Sequence, residues 1–306
     1  MGLAGLLVPV VAYACLWVDG ITVDGKYGHE SGMLIRVLRN SLREGPADAT
    51  VEMFSQLPDH AKDDPVVAKE IEAVTAVGEG KYDDGIAILL QIEKESPGRY
   101  STASNLGTIY ELKGENEAAL KWISEGLIRN PNGHYGTEWL HKLILEAKVN
   151  IASDPKWLES HRVIELDESK LSDASYRFNY GSTAYSVKDL MDTLDFQLRE
   201  RMVFVKPKDP IVADLLLTYS VLESHNGVVD VANELLDLSK LYGFADQTLI
   251  DARYNSYARA NKQGEHDDFV DMIVFYAVAG AALLFVGLAT ARRIKNRRIS
   301  LNSTSP

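Results

Sequence analysis

The segment Asn105–Leu120, NLGTIYELKGENEAAL, decides the fold of this chain. Gly107 and Ala119 are small, so two helices carrying them can pack closely, while the bulky Tyr110 fills the space beside them. Gly114 lies between the two halves, and glycine adopts the backbone conformations that a tight helix-to-helix turn requires. The segment therefore predicts two antiparallel helices joined at Gly114.

The same pattern occurs twice in succession. Val66–Arg99 and Tyr100–Gly133 are each 34 residues long and align without a gap. Gly80 falls opposite the turn glycine of the later copy, and Pro97 falls opposite Pro131. A proline at the end of the second helix disfavours its continuation and starts the connection to the next pair. A fixed period of this length is typical of stacked helical repeats.

On these residues the chain resembles the tetratricopeptide repeat (TPR) family, closely in the later copy and more loosely in the earlier one, where Glu72 replaces a large apolar residue. The resemblance implies an all-α fold, a solenoid of helical hairpins whose first helices line a groove for an extended peptide or a partner helix. It also implies that Asn105 hydrogen-bonds the backbone of a bound peptide, since an amide both donates and accepts. The predicted groove residues are Glu70, Val74, Val77, Ser101, Ser104, Asn105, Thr108 and Glu111.

The remaining domains are assigned around the two repeats at 66–133. Residues 15–65 are predicted to form a turn-rich segment followed by a helix pair. Residues 134–262 are predicted to continue the solenoid, with an irregular, polar and aromatic insertion at 153–186. A degenerate repeat is expected at 209–243, because small and large residues alternate there as in a second repeat helix.

The segment 272–291 has no charged residue over 20 positions, the length of a helix that spans a bilayer. Asp271 precedes it and Arg292 begins a basic cluster after it, so the tail 292–306 is predicted to be cytoplasmic and the preceding domain extracytoplasmic or periplasmic. The sequence thus predicts one C-terminal transmembrane helix and a single-pass membrane protein, similar to exported bacterial TPR proteins.

The N-terminus agrees with export. Residues 1–14 are apolar and end in Ala12-Tyr13-Ala14, a small–large–small pattern that signal peptidases cut, although no basic residue precedes them. Cys15 follows directly, so either a plain cleaved signal peptide or acylation of Cys15 is open. As the single cysteine, Cys15 excludes an intramolecular disulfide.

The net charge and the absence of catalytic motifs limit the classes of function that the sequence supports. The net charge of −12 disfavours binding to nucleic acid, because an acidic surface repels phosphates. No metalloprotease, thiol-redox, serine-hydrolase or phosphate-loop motif is present. The chain is therefore predicted to be a non-enzymatic scaffold for a protein or peptide partner, with no catalytic residue, metal or cofactor.

One alternative function is a metal-binding protein or metal-dependent enzyme. His134, Glu138 and His141 are spaced i, i+4 and i+7, which places three potential ligands on one face of a helix. Glycines on either side of His134 argue that this histidine precedes the helix. The metal site is kept as the alternative to the scaffold.

Overall fold

The computed structural model describes residues 17–24, 27–31, 33–46, 64–263 and 272–274. This part of the chain is mostly helical, which confirms the prediction of a helical protein. The strands are β1 (Trp17–Ile21), β2 (Tyr27–Ser31), β3 (Phe178–Tyr180) and β4 (Thr183–Tyr185), paired as two antiparallel hairpins. The helices are α1 (Met33–Arg43), α2 (Pro65–Gly78), α3 (Tyr82–Glu95), α4 (Tyr100–Leu112), α5 (Asn116–Arg129), α6 (Glu138–Ser153), the short α7 (Trp157–Ser160), α8 (Val187–Phe204), α9 (Pro210–Asn226), α10 (Val229–Tyr242) and α11 (247–263).

Two helical hairpins repeat with the spacing of the sequence. Helices α3 and α5 both contain 14 residues, and their first and last residues lie 34 positions apart. The turn before each is the same: Gly80 has φ 77° and Gly114 has φ 81°. The amide of Lys81 donates to Ala76 and that of Glu115 to Tyr110, both reaching five residues back. These bonds satisfy carbonyls at the helix ends, and only a left-handed residue allows them.

Within the second hairpin, close packing depends on a missing side chain. A Cβ built on Gly107 would lie 2.5 Å from side-chain carbons of Ile123, and both Ile123 and Leu106 are fully buried. In the first hairpin, Gly85 of α3 faces Ala73 of α2, and a Cβ built on Gly85 would lie 3.0 Å from the Ala73 carbonyl oxygen. At both glycines the two helices of a pair therefore approach more closely than a residue with a side chain would allow.

The C-terminal half surrounds one central helix. Every residue of α9 from Ile211 to Ser224 is buried, so this helix has no solvent-exposed face. A helix that is buried all round needs neighbours on every side, and its core cluster includes residues of α1, α6, α8 and α10. The N-terminal hairpin also reaches it, since the amide of Val23 donates to the Ser224 carbonyl at 2.6 Å.

The segment predicted as an irregular insertion, 153–186, contains α7, a 3-10 turn and the β3–β4 hairpin. Its aromatic side chains pack around the buried Trp139 of α6. The ring centroids of Phe178, Tyr180 and Tyr185 lie 5.8, 5.4 and 4.7 Å from that of Trp139. The aromatic residues of this segment thus cover α6.

The prediction of a transmembrane helix at 272–291 is corrected. Nowhere in the described ranges, from 17 to 263 with their gaps and at 272–274, is there a helix with the length and apolarity needed to cross a bilayer. The single-pass membrane localisation, which rested on that helix, is corrected with it. Of the predicted span only 272–274 belong to the described residues, and three helical residues are far fewer than the about 20 that a bilayer-spanning helix needs.

Several sequence predictions fall on other parts of the chain. Residues 275–291 of the predicted span lie outside the described residues, as do the predicted signal peptide 1–14, Cys15 and the tail 292–306. The second helix of the predicted N-terminal pair, within 47–63, also lies outside them.

The Gly107 contact gives a test of the packing. Gly107→Ala should lower the free energy of unfolding by about 1–3 kcal/mol, because the added methyl group overlaps Ile123. Gly126→Ala is the matched control: its Cβ would lie 3.6 Å from the Tyr100 ring, an ordinary contact, and alanine is favoured in helices by about 1 kcal/mol. Urea unfolding should rank Gly126→Ala at or above wild type, and equal stability of the two variants would contradict this packing.

Candidate functional site

The predicted groove residues divide into two groups. Half of them are partly exposed on α2 and α4, namely Val74, Ser101, Asn105 and Thr108. The other half are buried, namely Glu70, Val77, Ser104 and Glu111. Val77 belongs to the apolar core of the hairpins, whereas the three buried polar residues contact other parts of the same chain. The two groups therefore have different roles: the first is accessible from solvent, and the second joins parts of this chain.

Glu70 joins the two hairpins. Its carboxylate accepts hydrogen bonds from Arg99 Nε at 3.1 Å, from Ser101 Oγ at 2.6 Å and from Thr102 Oγ1 at 3.1 Å. Arg99 precedes α4 and the two hydroxyl residues lie in its first turn. A carboxylate among these donors fixes the start of α4 against α2, and both of its oxygens are engaged, since Arg99 Nη2 also donates to Oε2 at 3.2 Å.

Glu111 has the densest set of partners. Its carboxylate lies 2.5 Å from Arg201 Nη1, 2.7 Å from His141 Nε2 and 2.6 Å from Lys148 Nζ, and its side chain is 5% exposed. Burial alone raises a carboxyl pKa, but Arg201, His141 and Lys148 outweigh burial and hold the pKa of Glu111 well below its ordinary 4.5. Glu111 is therefore an ionised, fully paired carboxylate in the protein interior.

A second buried carboxylate, Glu138, extends this arrangement. Tyr100 donates its hydroxyl to Glu138 at 2.9 Å, and Ser104 donates at 3.2 Å. The Nδ1 atoms of His134 and His141 lie 3.0 and 3.4 Å from its two oxygens. We call the connected set the buried charge network, and its members are Glu111, Glu138, His134, His141, Lys148 and Arg201.

The buried charge network contains all three residues of the predicted metal site. The structure does bring His134, Glu138 and His141 together, but as ion pairs: each imidazole places one nitrogen on Glu138 and the other on a second carboxylate. Those second partners are Glu200, 3.3 Å from His134 Nε2, and Glu111. In the described part of the chain, no three His, Cys, Asp or Glu side chains are arranged to hold a metal ion.

His134 is held in a strained turn. His134 and Tyr135 have φ angles of 54° and 56°, a region that residues with a Cβ rarely adopt. The contact with Glu138 and the edge-on packing of the His134 ring on Phe196, with centroids 5.4 Å apart, hold this conformation. Because carboxylates face both nitrogens of the ring, the pKa of His134 is raised above 6.5 despite its burial.

Helix α8 closes part of the predicted groove. Arg201 reaches Glu111 from near the end of α8, and Phe204 packs against the apolar cluster formed by α2, α3 and α4. Sequence reasoning missed Arg201 and Phe204, as well as Lys148. The sequence contains only an indirect indication of them. A glutamate such as Glu111 needs a cationic partner once another helix buries it, but nothing in the repeat specifies which residue supplies the cation.

What remains accessible is a polar stripe on α4. Ser101, Asn105 and Thr108 are spaced i, i+4 and i+7, so they share one face of the helix, and Val74 of α2 is also partly exposed. The side chains of Asn105 and Thr108 form no hydrogen bond with other described residues. We define Ser101, Asn105 and Thr108 as the α4 stripe and take it as the candidate site.

One other grouping resembles a catalytic set without its geometry. Ser172 Oγ lies 2.9 Å from His225 Nδ1 and also donates a short hydrogen bond to Asp24. Asp24 in turn lies 3.5 Å from the same His225 nitrogen. In a catalytic triad the imidazole is the base, with the serine hydroxyl on one ring nitrogen and the carboxylate on the other. Here Ser172 and Asp24 both lie at Nδ1 of His225. The arrangement instead fastens the N-terminal hairpin to the end of α9.

Comparison with family models, with curated proteins and with solved structures finds no match for this chain.

The buried charge network predicts that removing the charge of one member, Glu111, strongly lowers the stability of the fold. Glu111→Gln should lower the free energy of unfolding by about 3–5 kcal/mol, because it leaves buried cations without their counter-charge. Glu146→Gln is the control, since Glu146 is 40% exposed and its pair with Lys142 is worth under about 1 kcal/mol. Chemical denaturation of both variants measures the difference, and a loss below 1 kcal/mol in Glu111→Gln would refute the role assigned to Glu111.

The two network histidines also predict a pH dependence. Their pKa values are raised above 6.5, so their contribution to stability is complete below pH 6.5 and is lost as the pH rises through the folded-state values. The urea midpoint of the wild type should therefore fall as the pH rises above 6.5. His134→Gln/His141→Gln should flatten that fall, whereas the exposed His161→Gln should retain it. An equally steep fall in the double variant would count against this assignment.

Proposed function

We propose that this chain is a TPR-like interaction module that binds an extended segment of a partner protein along the α4 stripe. The proposal is supported by the difference between the charged and the neutral residues on the hairpin face. Its charged positions are neutralised by the chain itself, while Asn105 and Thr108 stay partly exposed with hydrogen-bonding groups unused by other described residues. A pair of stacked hairpins with an open polar stripe is the arrangement that peptide-binding helical repeats use.

The chemistry of the stripe favours recognition of a peptide backbone. The Asn105 amide presents one acceptor and two donor hydrogens, matching a peptide C=O and N–H together. Thr108, one turn further, adds a hydroxyl that donates or accepts. Val74 supplies a small apolar contact beside them. No unpaired cation lies among these residues, so the stripe lacks the groups that clamp a terminal carboxylate.

The open part of the face is short. From Ser101 to Thr108 the helix rises about 10 Å, and an extended peptide advances about 3.3 Å per residue. The stripe therefore contacts about three residues of a partner. Because Arg201 and Phe204 of α8 cover the neighbouring part of the face, the bound segment must leave the groove there rather than continue along it.

The test is a selection of peptides against the full chain followed by affinity measurement. A random peptide library displayed on phage is enriched on the immobilised protein, and the synthetic peptides are titrated by fluorescence anisotropy. Asn105→Ala should weaken binding by about tenfold, because both backbone groups of the peptide lose a partner. Its unfolding midpoint should match wild type, since the Asn105 side chain makes no bond to other described residues.

Asn255→Ala is the matched control, because Asn255 is exposed on α11, far along the chain from the stripe. It should bind the selected peptides as wild type does. The proposal fails if Asn105→Ala retains full affinity for every selected peptide, or if Asn255→Ala loses as much.

A further inference from the structure

We infer a second binding site, on α1, for an acidic segment of a partner protein. Arg36, Arg39 and Arg43 are exposed and lie at i, i+3 and i+7, so their guanidinium groups share one face of the helix. A cleft of about 270 Å³ opens between this face and α10, lined by Ile35, Arg36, Arg39, Asn40, Arg43 and Glu234. The site is separate from the α4 stripe and does not depend on the function proposed there.

The arginines stand out against the charge of the chain. The net charge is −12, yet this face of α1 presents three cations. Arg39 lies 3.5 Å from Glu234, but both side chains are about half exposed, so this pair is weak and exchangeable. Arg36 and Arg43 form no ion pair with any residue in the described ranges. A planar guanidinium with several donors binds carboxylates more specifically than a lysine does.

The helix that carries them is held rigidly. Leu34 and Leu38 are buried in the main core on the opposite face of α1. The ammonium group of Lys206 donates to the carbonyls of Ser41, Leu42 and Glu44 at 3.1, 3.0 and 2.8 Å, which satisfies the C-terminal end of the helix. Because α1 is fixed before binding, little ordering of the helix is needed when an anion arrives, and this favours affinity.

The spacing selects the ligand. The three arginines span about 10 Å along the helix axis, too far for one small anion to contact all of them. Carboxylates on alternate residues of an extended peptide lie about 7 Å apart, so two or three of them reach successive guanidinium groups. The apolar side chain of Ile35 and the amide of Asn40 complete a surface for a peptide rather than for a free ion.

The experiment titrates the full chain into a fluorescein-labelled hexa-aspartate peptide at low ionic strength, with anisotropy as the readout. Arg36→Gln/Arg39→Gln/Arg43→Gln should weaken binding at least tenfold. The control Arg177→Gln/Arg199→Gln/Arg259→Gln removes the same charge from exposed positions elsewhere and should change the dissociation constant less than twofold. Added salt should weaken wild-type binding steeply, because the contacts are ionic.

Further arms separate the outcomes. Labelled hexaserine should not bind, and inorganic phosphate should compete only weakly with the peptide. The inference is overturned if hexa-aspartate does not bind, if both triple variants weaken binding equally, or if phosphate displaces the peptide at equimolar concentration. Should the α1 triple variant fail to fold, Arg36→Gln/Arg43→Gln removes two cations that have no described partner, and it should still lose affinity several-fold.

Discussion

The ionised carboxylate of Glu111 is the constraint on which the arrangement of the helices depends. It lies on α4 and binds Arg201 of α8 together with His141 and Lys148 of α6. Removing a carboxylate from water costs several kcal/mol, and only a full set of well-placed donors offsets that cost. The three helices must therefore meet in one geometry, because a shift of any of them leaves a charge unpaired in the interior.

This constraint determines which groups of the helical hairpins stay accessible. The cations that neutralise Glu111 come from the later helices α6 and α8, so this later part of the chain occupies a face that an isolated pair of hairpins would leave open. Glu70 is similarly occupied by Arg99 and its neighbouring hydroxyls. The charged residues of the predicted groove are thereby paired within the chain, and those of its residues that stay partly exposed are neutral. Among the described residues, the face of α1 presents three exposed arginines, whose charge is opposite in sign to the net charge of the chain.

Local signals predicted part of this and long-range ones did not. The turn at Gly114 and the close approach at Gly107 follow from glycine chemistry within a few residues, and the sequence shows both. The pairing of Glu111 with Arg201 joins residues 90 positions apart, and no periodic pattern specifies it. Hydrophobic length likewise suggested a membrane span, and the described residues contain no helix long and apolar enough to be one.

The encased helix α9 has a consequence for synthesis. Its apolar sides emerge from the ribosome before α10, one of the helices that cover them, and α10 is 14 residues long. At about 5–20 residues per second, translation of α10 takes about one to three seconds. During that interval the nascent chain exposes the apolar surface of α9, to which ribosome-associated chaperones can bind.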